Sequence, residues 1–337
     1  MSAPEPRVRL PDARPPDGRP PDGRWHPAEM VFWLALVAVI FVFPGRLVLG
    51  SQVLITGLFA LSLDLILGYA GIVSLGHAAM FGAGAYTAGL LARHGWGEPL
   101  SGLLVAAAVG AAVAWATSFI AVRGGDLTRL MVTLGIGLML YEAANQAASI
   151  TGGVDGLSDM TVRDLLGVFH FDLGGRTAYV YSLVVLFAVF LVCRRLVRSP
   201  FGLSLRGIRD GPRRMPAIGS PVRRRLIAVY TLAGAIAGIA GALLAQTTQF
   251  VGLEVLGFSR SADLLIMVVL GGPGWLYGGL IGAAVFMIAQ NQLSSVNPVY
   301  WQFWLGLLLV AIVFAARGGV VGAVASARER LLARLAR

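Results

Sequence analysis

Apolar runs recur along this chain between short polar or glycine-rich breaks, and as helices most are long enough to cross about 30 Å of hydrocarbon. They cover residues 30–49, 51–67, 76–93, 101–122, 130–150 and 178–197, then 226–249 and 300–316. Between the last two lies a divided stretch, 262–292, interrupted by Gly271, Gly272, Pro273 and Gly274. The pattern predicts an all-α, polytopic membrane protein with one membrane domain over 29–316. It has either eight spans plus a re-entrant hairpin, or ten spans.

Composition agrees with that reading. Of the 337 residues 57% are hydrophobic and 13% charged, about half the charge of a typical soluble domain. All 27 basic residues are arginine and the net charge is +10. A chain without lysine has no P-loop lysine and no lysine Schiff base. The single cysteine, Cys193, lies in an apolar run without a disulfide partner and reads as a small core residue. The tail 1–28 contains PDARPPDGRPPDGRW, which has nothing to bury and is expected to be disordered. The run from Met30 to Leu49 is longer than a signal-peptide core and is followed by no small-residue cleavage site, so it reads as the first span.

Arginine sets the orientation. Residues 194–225 hold ten arginines and one acid, Asp210, which places this segment in the cytoplasm by the positive-inside rule. Six crossings before it put the N-terminus inside. The tail 317–337 carries five arginines, is amphipathic through Leu331, Leu332 and Leu335, and is expected at the cytoplasmic membrane surface. The layout leaves five arginines outside: Arg46, Arg93, Arg163, Arg176 and Arg260.

The stretch GYAGIVSLGHAAMFGAGAY, residues 68–86, is apolar yet carries five glycines and a histidine. Broken segments are tolerated at membrane depth only where protein or a water-lined cavity surrounds them, and transporters pair such breaks around a substrate path. Gly71-x4-Gly76 and Gly274-x4-Gly279 form a weak pair of this kind. Close helix approach through small residues is the plainer explanation.

Glu142 falls near the middle of the run 130–150, where a charge costs about 2.5–3.5 kcal/mol on insertion scales. With Asn145, Gln146 and Ser149 it follows the i, i+3, i+4, i+7 spacing that stacks side chains on one helix face. This stripe either lines the outer half of a solute path or acts as interhelical glue worth about 0.6 kcal/mol per contact. Asp64 and His77 lie near the cytoplasmic ends of their runs, within reach of the interface, and His77 reads first as a structural histidine. No HExxH motif or clustered acid pair is present. No catalytic residue, metal site, cofactor or nucleic-acid partner is expected in this chain.

GYAGIVSLGHAAMFGAGAY, TGGVDGL at 151–157, SPFGLSLRGIRD, and AGAIAGIAGALLA with SADLLIMVVLGGPGWLYGGLIGA occur in this order. Together they resemble the LivM-type permeases of branched-chain amino-acid ABC importers, over roughly residues 50–316. The resemblance implies a bacterial inner-membrane, multi-pass permease. Its partners would be a second, LivH-type permease, two cytoplasmic ATPases that bind ATP and Mg, and a periplasmic solute-binding protein. The family's coupling segment falls on about 198–225, with its helix over Arg206, Gly207, Ile208, Arg209, Asp210, Arg213, Arg214, Ile218 and Gly219. Two features depart from the family: Pro216 within this segment is expected to kink it, and Gly278-Gly279 stands where a Gly-Pro pair is common. Gly152, Gly153, Asp155 and Gly156 belong to the resembling outer loop. The solute implied is a branched-chain or related hydrophobic amino acid, whose ammonium group Glu142 would suit. Urea, short amides and aromatic acids are the alternatives within the family. A self-sufficient secondary transporter or channel, with Glu142 as its ion site, is the alternative outside it.

Overall fold

The structure, a computed structural model, describes residues 27–164, 174–315, 319 and 322. Most of the two predicted tails falls outside these residues. Helices α1 (Pro27–Val42), α2 (Leu47–Asp64), α3 (His77–Arg93), α4 (Pro99–Ala121) and α5 (Asp126–Gln146) form the first part. The short α6 (Ala148–Thr151) and then α7 (Arg176–Arg198) and α8 (Pro200–Asp210) follow. The second part holds α9 (Val222–Thr248), α10 (Phe258–Gly271), α11 (Leu276–Val296) and α12 (Trp301–Ala315). α2 does not stop at Asp64 but continues through a π-helical turn, Leu65–Tyr69.

Among the described residues, six helical segments are long and apolar enough to cross a membrane: Pro44–Tyr69, which contains α2, and α4, α5, α7, α9 and α11. At 14 residues, α10 is about 21 Å long and falls short of that thickness. The predicted divided stretch is thus two antiparallel helices of unequal length, with Gly282 of α11 against Met267 of α10 and Gly278 against Gly271.

Small residues bring the central helices together. A side chain at Gly110 of α4 would lie 2.5 Å from the Gly234 carbonyl of α9, and one at Gly238 would lie 2.4 Å from the Ala106 carbonyl. Gly84 of α3 meets the same Gly238, so α9 packs its glycine face against two helices at backbone distance, as small residues allow in membranes. α1 lies outside this centre against α7. Trp33 meets Phe187 and Phe190 edge-on at 4.8 and 5.2 Å, and Glu29 pairs with Arg194 at 3.0 Å in a buried contact. Much of the outer surface is apolar, with Leu34, Phe41, Leu104 and Met139 exposed, as a lipid-facing surface requires.

Between α9 and α10 the chain folds back into the bundle. Val251 pairs with Leu157 through N–H···O bonds of 2.8 and 3.1 Å, and Leu256 fills the space beside Gly82 of α3. This return starts α10 inside the helix layer.

Candidate functional site

The two predicted breaks meet. After the π-helical turn, residues 70–76 climb back along α2, and α3 starts beside Ser62 and Phe59 instead of at the end of α2. His77 hydrogen bonds through Nε2 to Ser62 Oγ at 2.8 Å and its ring lies parallel to that of Phe59 at 5.6 Å. The backbone N–H of Leu75 donates to Thr133 Oγ1 and that of Ala78 to Ser261 Oγ, so two helices outside the segment satisfy donors freed by the break. Asp64 and His77, expected near the interface, are instead fully buried. The climb of residues 70–76 is the reason, because it covers both with protein.

Asp64 binds the second break directly: its Oδ1 accepts the Gly274 N–H at 2.7 Å. Gly68 sits at this crossing, where a side chain would fall 2.3 Å from both Asp64 Oδ1 and the Gly274 nitrogen. α8 closes the arrangement. Arg209 Nη1 donates to the Gly68 carbonyl, and the Arg206 guanidinium covers the Tyr69 ring at 5.2 Å. The Arg209 side chain passes between Gly71 and Gly274, both with positive φ, +70° and +88°. A side chain at Gly71 would lie 2.9 Å from Arg209 Cγ, and one at Gly274 3.2 Å from its Nη1. One arginine therefore ties α8 to both breaks. Gly76 and Gly279 differ in role despite their matched spacing: Gly76 caps α3, whereas Gly279 lies inside α11 and packs on Ala60 of α2.

α8 ends at Asp210, which pairs with Arg209 at 3.4 Å. Ile208 is buried, and Gly207 faces Met215 as the chain folds back. Arg213 and Arg214 lie in that turn, Pro216 and Ile218 in a 3-10 turn, and Gly219 follows with φ +79°. Pro216 is thus outside α8 and does not kink it. The predicted coupling helix begins earlier, at Pro200, where Ser199 caps it.

In the polar stripe on α5, Glu142 and Gln146 are exposed and Asn145 is half-buried. Glu142 Oε1 accepts from Gln146 Nε2 at 2.7 Å and Oε2 from Asn145 Nδ2 at 3.4 Å. Two expectations change. α5 starts at Asp126, capped by Gly125, so Glu142 lies one turn from the helix end and not at its middle. The helix breaks at Ala147, so Ser149 belongs to α6. There Thr151 Oγ1 donates to Ala144 O and Ala147 O, and Gly152, Gly153 and Gly156 take positive φ around Asp155 to turn the loop toward Val251.

Residues 47–313 match the family model described as "Branched-chain amino acid transport system / permease component". The chain belongs to that permease family. The LivM high-affinity branched-chain amino acid transport permease of Salmonella typhimurium is 27% identical over 86% of this chain and 74% of its own length. The autoinducer 2 import permease LsrC of Enterobacter is 29% identical over 80% and 77%. An L-arabinose ABC transporter permease, AraH of Azospirillum brasilense, is 29% identical over 56% of each chain. No solved structure matches this chain. As a permease of this family it is a multi-pass transport subunit and not an enzyme.

Further residues join the candidate site. Thr133 and Ser261 hold the start of α3. Arg260, expected on the outer side, stacks on the Phe81 ring at 5.5 Å, one turn inside α3. A hydroxyl facing a broken segment carries no signal of its own in sequence. Arg260 and Asp263, three residues apart beside an apolar run, did carry one.

Proposed function

We propose that this chain is one permease subunit of an ATP-binding-cassette importer for branched-chain or related hydrophobic amino acids in a bacterial inner membrane. The observation that carries the reading is Arg209, which joins a short basic helix at one end of the bundle to both broken segments. An ATPase docked on α8 would move Gly68 and Gly274 together through that side chain. The stripe of Glu142, Asn145 and Gln146, exposed at its two ends, supports a path on the outer face of α5, shared with a second, LivH-type permease. Two cytoplasmic ATPases would bind ATP and Mg, and a periplasmic binding protein would deliver solute. Both termini are cytoplasmic on this reading, and the alternation of helix directions favours ten traverses, α10 being the short one.

The test is purification of the tagged chain from its native membrane. Co-purifying ATPases and a second permease are the expected result. A complex of this chain alone, with uptake driven by an ion gradient, would overturn the reading. The sugar and autoinducer permeases among its relatives make solute class a separate question, settled by uptake assays with labelled leucine, urea, amides and sugars.

A further inference from the structure

Between α2, α10 and α11 lies a cavity of about 50 Å3. Its polar lining is Thr56, Arg260, Asp263 and Gln290, and its apolar lining includes Met267, Phe286 and Met287. A single water needs about 10–15 Å3, so the space holds a small polar group several atoms in size. Arg260 and Asp263 lie one turn apart on α10 without closing an ion pair. Neither has an ion-pair partner among the described residues. The Arg260 Nε is buried without a hydrogen bond. The other charge that Arg260 feels is Glu254, on the return segment before α10.

Ionisable side chains inside an apolar bundle demand partners, and here a guanidinium and a carboxylate face one space with an amide and a hydroxyl. An α-amino acid carries the complementary set: its carboxylate matches the guanidinium through charge-assisted hydrogen bonds and its ammonium matches the carboxylate. A sugar supplies hydroxyls alone and leaves both charges unneutralised. The cavity is the size of the head group, so an aliphatic side chain would extend along Met267, Phe286 and Met287. The niche is also joined to the broken segment, because the Phe81 ring under Arg260 packs on Phe59 at 4.4 Å and Phe59 on His77.

We propose that Arg260 and Asp263, with Gln290 and Thr56, hold the zwitterionic head group of an α-amino acid inside this subunit. The proposal rests on the importer reading and adds the place in this subunit where its solute is held.

The experiment uses the complex co-purified from its native membrane and placed in nanodiscs, with tritiated L-leucine as probe and no binding protein added. Wild type should bind leucine, 4-methylpentanoate and fructose should compete poorly, and Arg260→Gln and Asp263→Asn should each weaken binding at least about tenfold, as expected for a broken buried charge contact. In a second arm Leu264→Cys, at a lining position that takes no part in holding the head group, is labelled with a water-soluble thiol reagent; the native Cys193 is buried. Leucine should slow labelling, and fructose should not. Absence of leucine binding in wild type, equal binding in the variants, or labelling indifferent to leucine overturns the niche. ATP-driven leucine uptake measured in parallel separates the two readings: intact uptake with indifferent labelling sinks the niche alone, whereas ATP-driven uptake of sugars without leucine sinks the amino-acid assignment as well.

Discussion

Asp64 and Gly274 are 210 residues apart in the chain, yet the Asp64 carboxylate accepts the Gly274 N–H at 2.7 Å in a fully buried contact. A buried hydrogen bond to a charged group is worth about 1.5–3 kcal/mol, and removing one partner leaves the other unsatisfied. Asp64→Ala should therefore lower the thermal unfolding midpoint of the detergent-solubilised protein, with a loss of about 1–3 kcal/mol. Asp64→Asn should lose less, since its carbonyl oxygen still accepts. Equal melting of Asp64→Ala and wild type would show that the contact contributes nothing.

Arg209 makes a different prediction, one about coupling. Its guanidinium reaches Gly68 O while its stem fills the space between two glycines, so a lysine supplies a stem of similar reach but no planar fork. Arg209→Ala and Arg209→Lys should both leave the subunit in the membrane and the partner ATPases active, yet abolish most solute uptake. The check is the ratio of ATP hydrolysed to solute moved in proteoliposomes. Unchanged ratios in both variants would remove Arg209 from the coupling route.

The α4/α9 crossing predicts a steric effect. Gly238→Ala would place its methyl group 2.4 Å from the Ala106 carbonyl, and overpacking of this kind costs about 1–3 kcal/mol. Gly45→Ala, where nothing lies within 4 Å, is the control and should be neutral. Resistance to proteolysis in membranes, compared between the two, reads the difference.

Accessibility tests the α5 stripe. Cysteines at Glu142 and Gln146 should react with a water-soluble thiol reagent in the assembled complex and should cross-link to the second permease. A cysteine at Thr133, which is buried on the same helix, should do neither. Protection of all three positions alike would assign the stripe to interhelical glue.

Helix positions were legible from apolar run length because the bilayer fixes that length. The glycine breaks at 68–76 and 271–275 were also legible, since few other residues pass so close to a neighbouring backbone. Their meeting point was not: Asp64 and Gly274 are brought together by packing that no local period encodes. Glu142 lies near the end of α5 and not at its middle because the helix begins at Asp126, four residues before the apolar run, and ends at Gln146, four residues before the run does. The Arg260–Asp263 spacing is visible in the sequence, but what surrounds the pair is not: it follows from the chain returning into the bundle after Val251, and charges beside an apolar run read the same whether the chain returns or leaves.

Among the residues of α5, Thr133 and Gly137 alone are buried by the rest of the chain. On the importer reading, that helix face is finished only when the second permease docks. Copies made in excess of a partner permease would present carboxylate and amide groups to acyl chains, the condition under which membrane quality-control proteases recognise their clients. The cellular amount of this protein would then follow the scarcer of the two permeases, with surplus removed by turnover rather than by regulation of its synthesis.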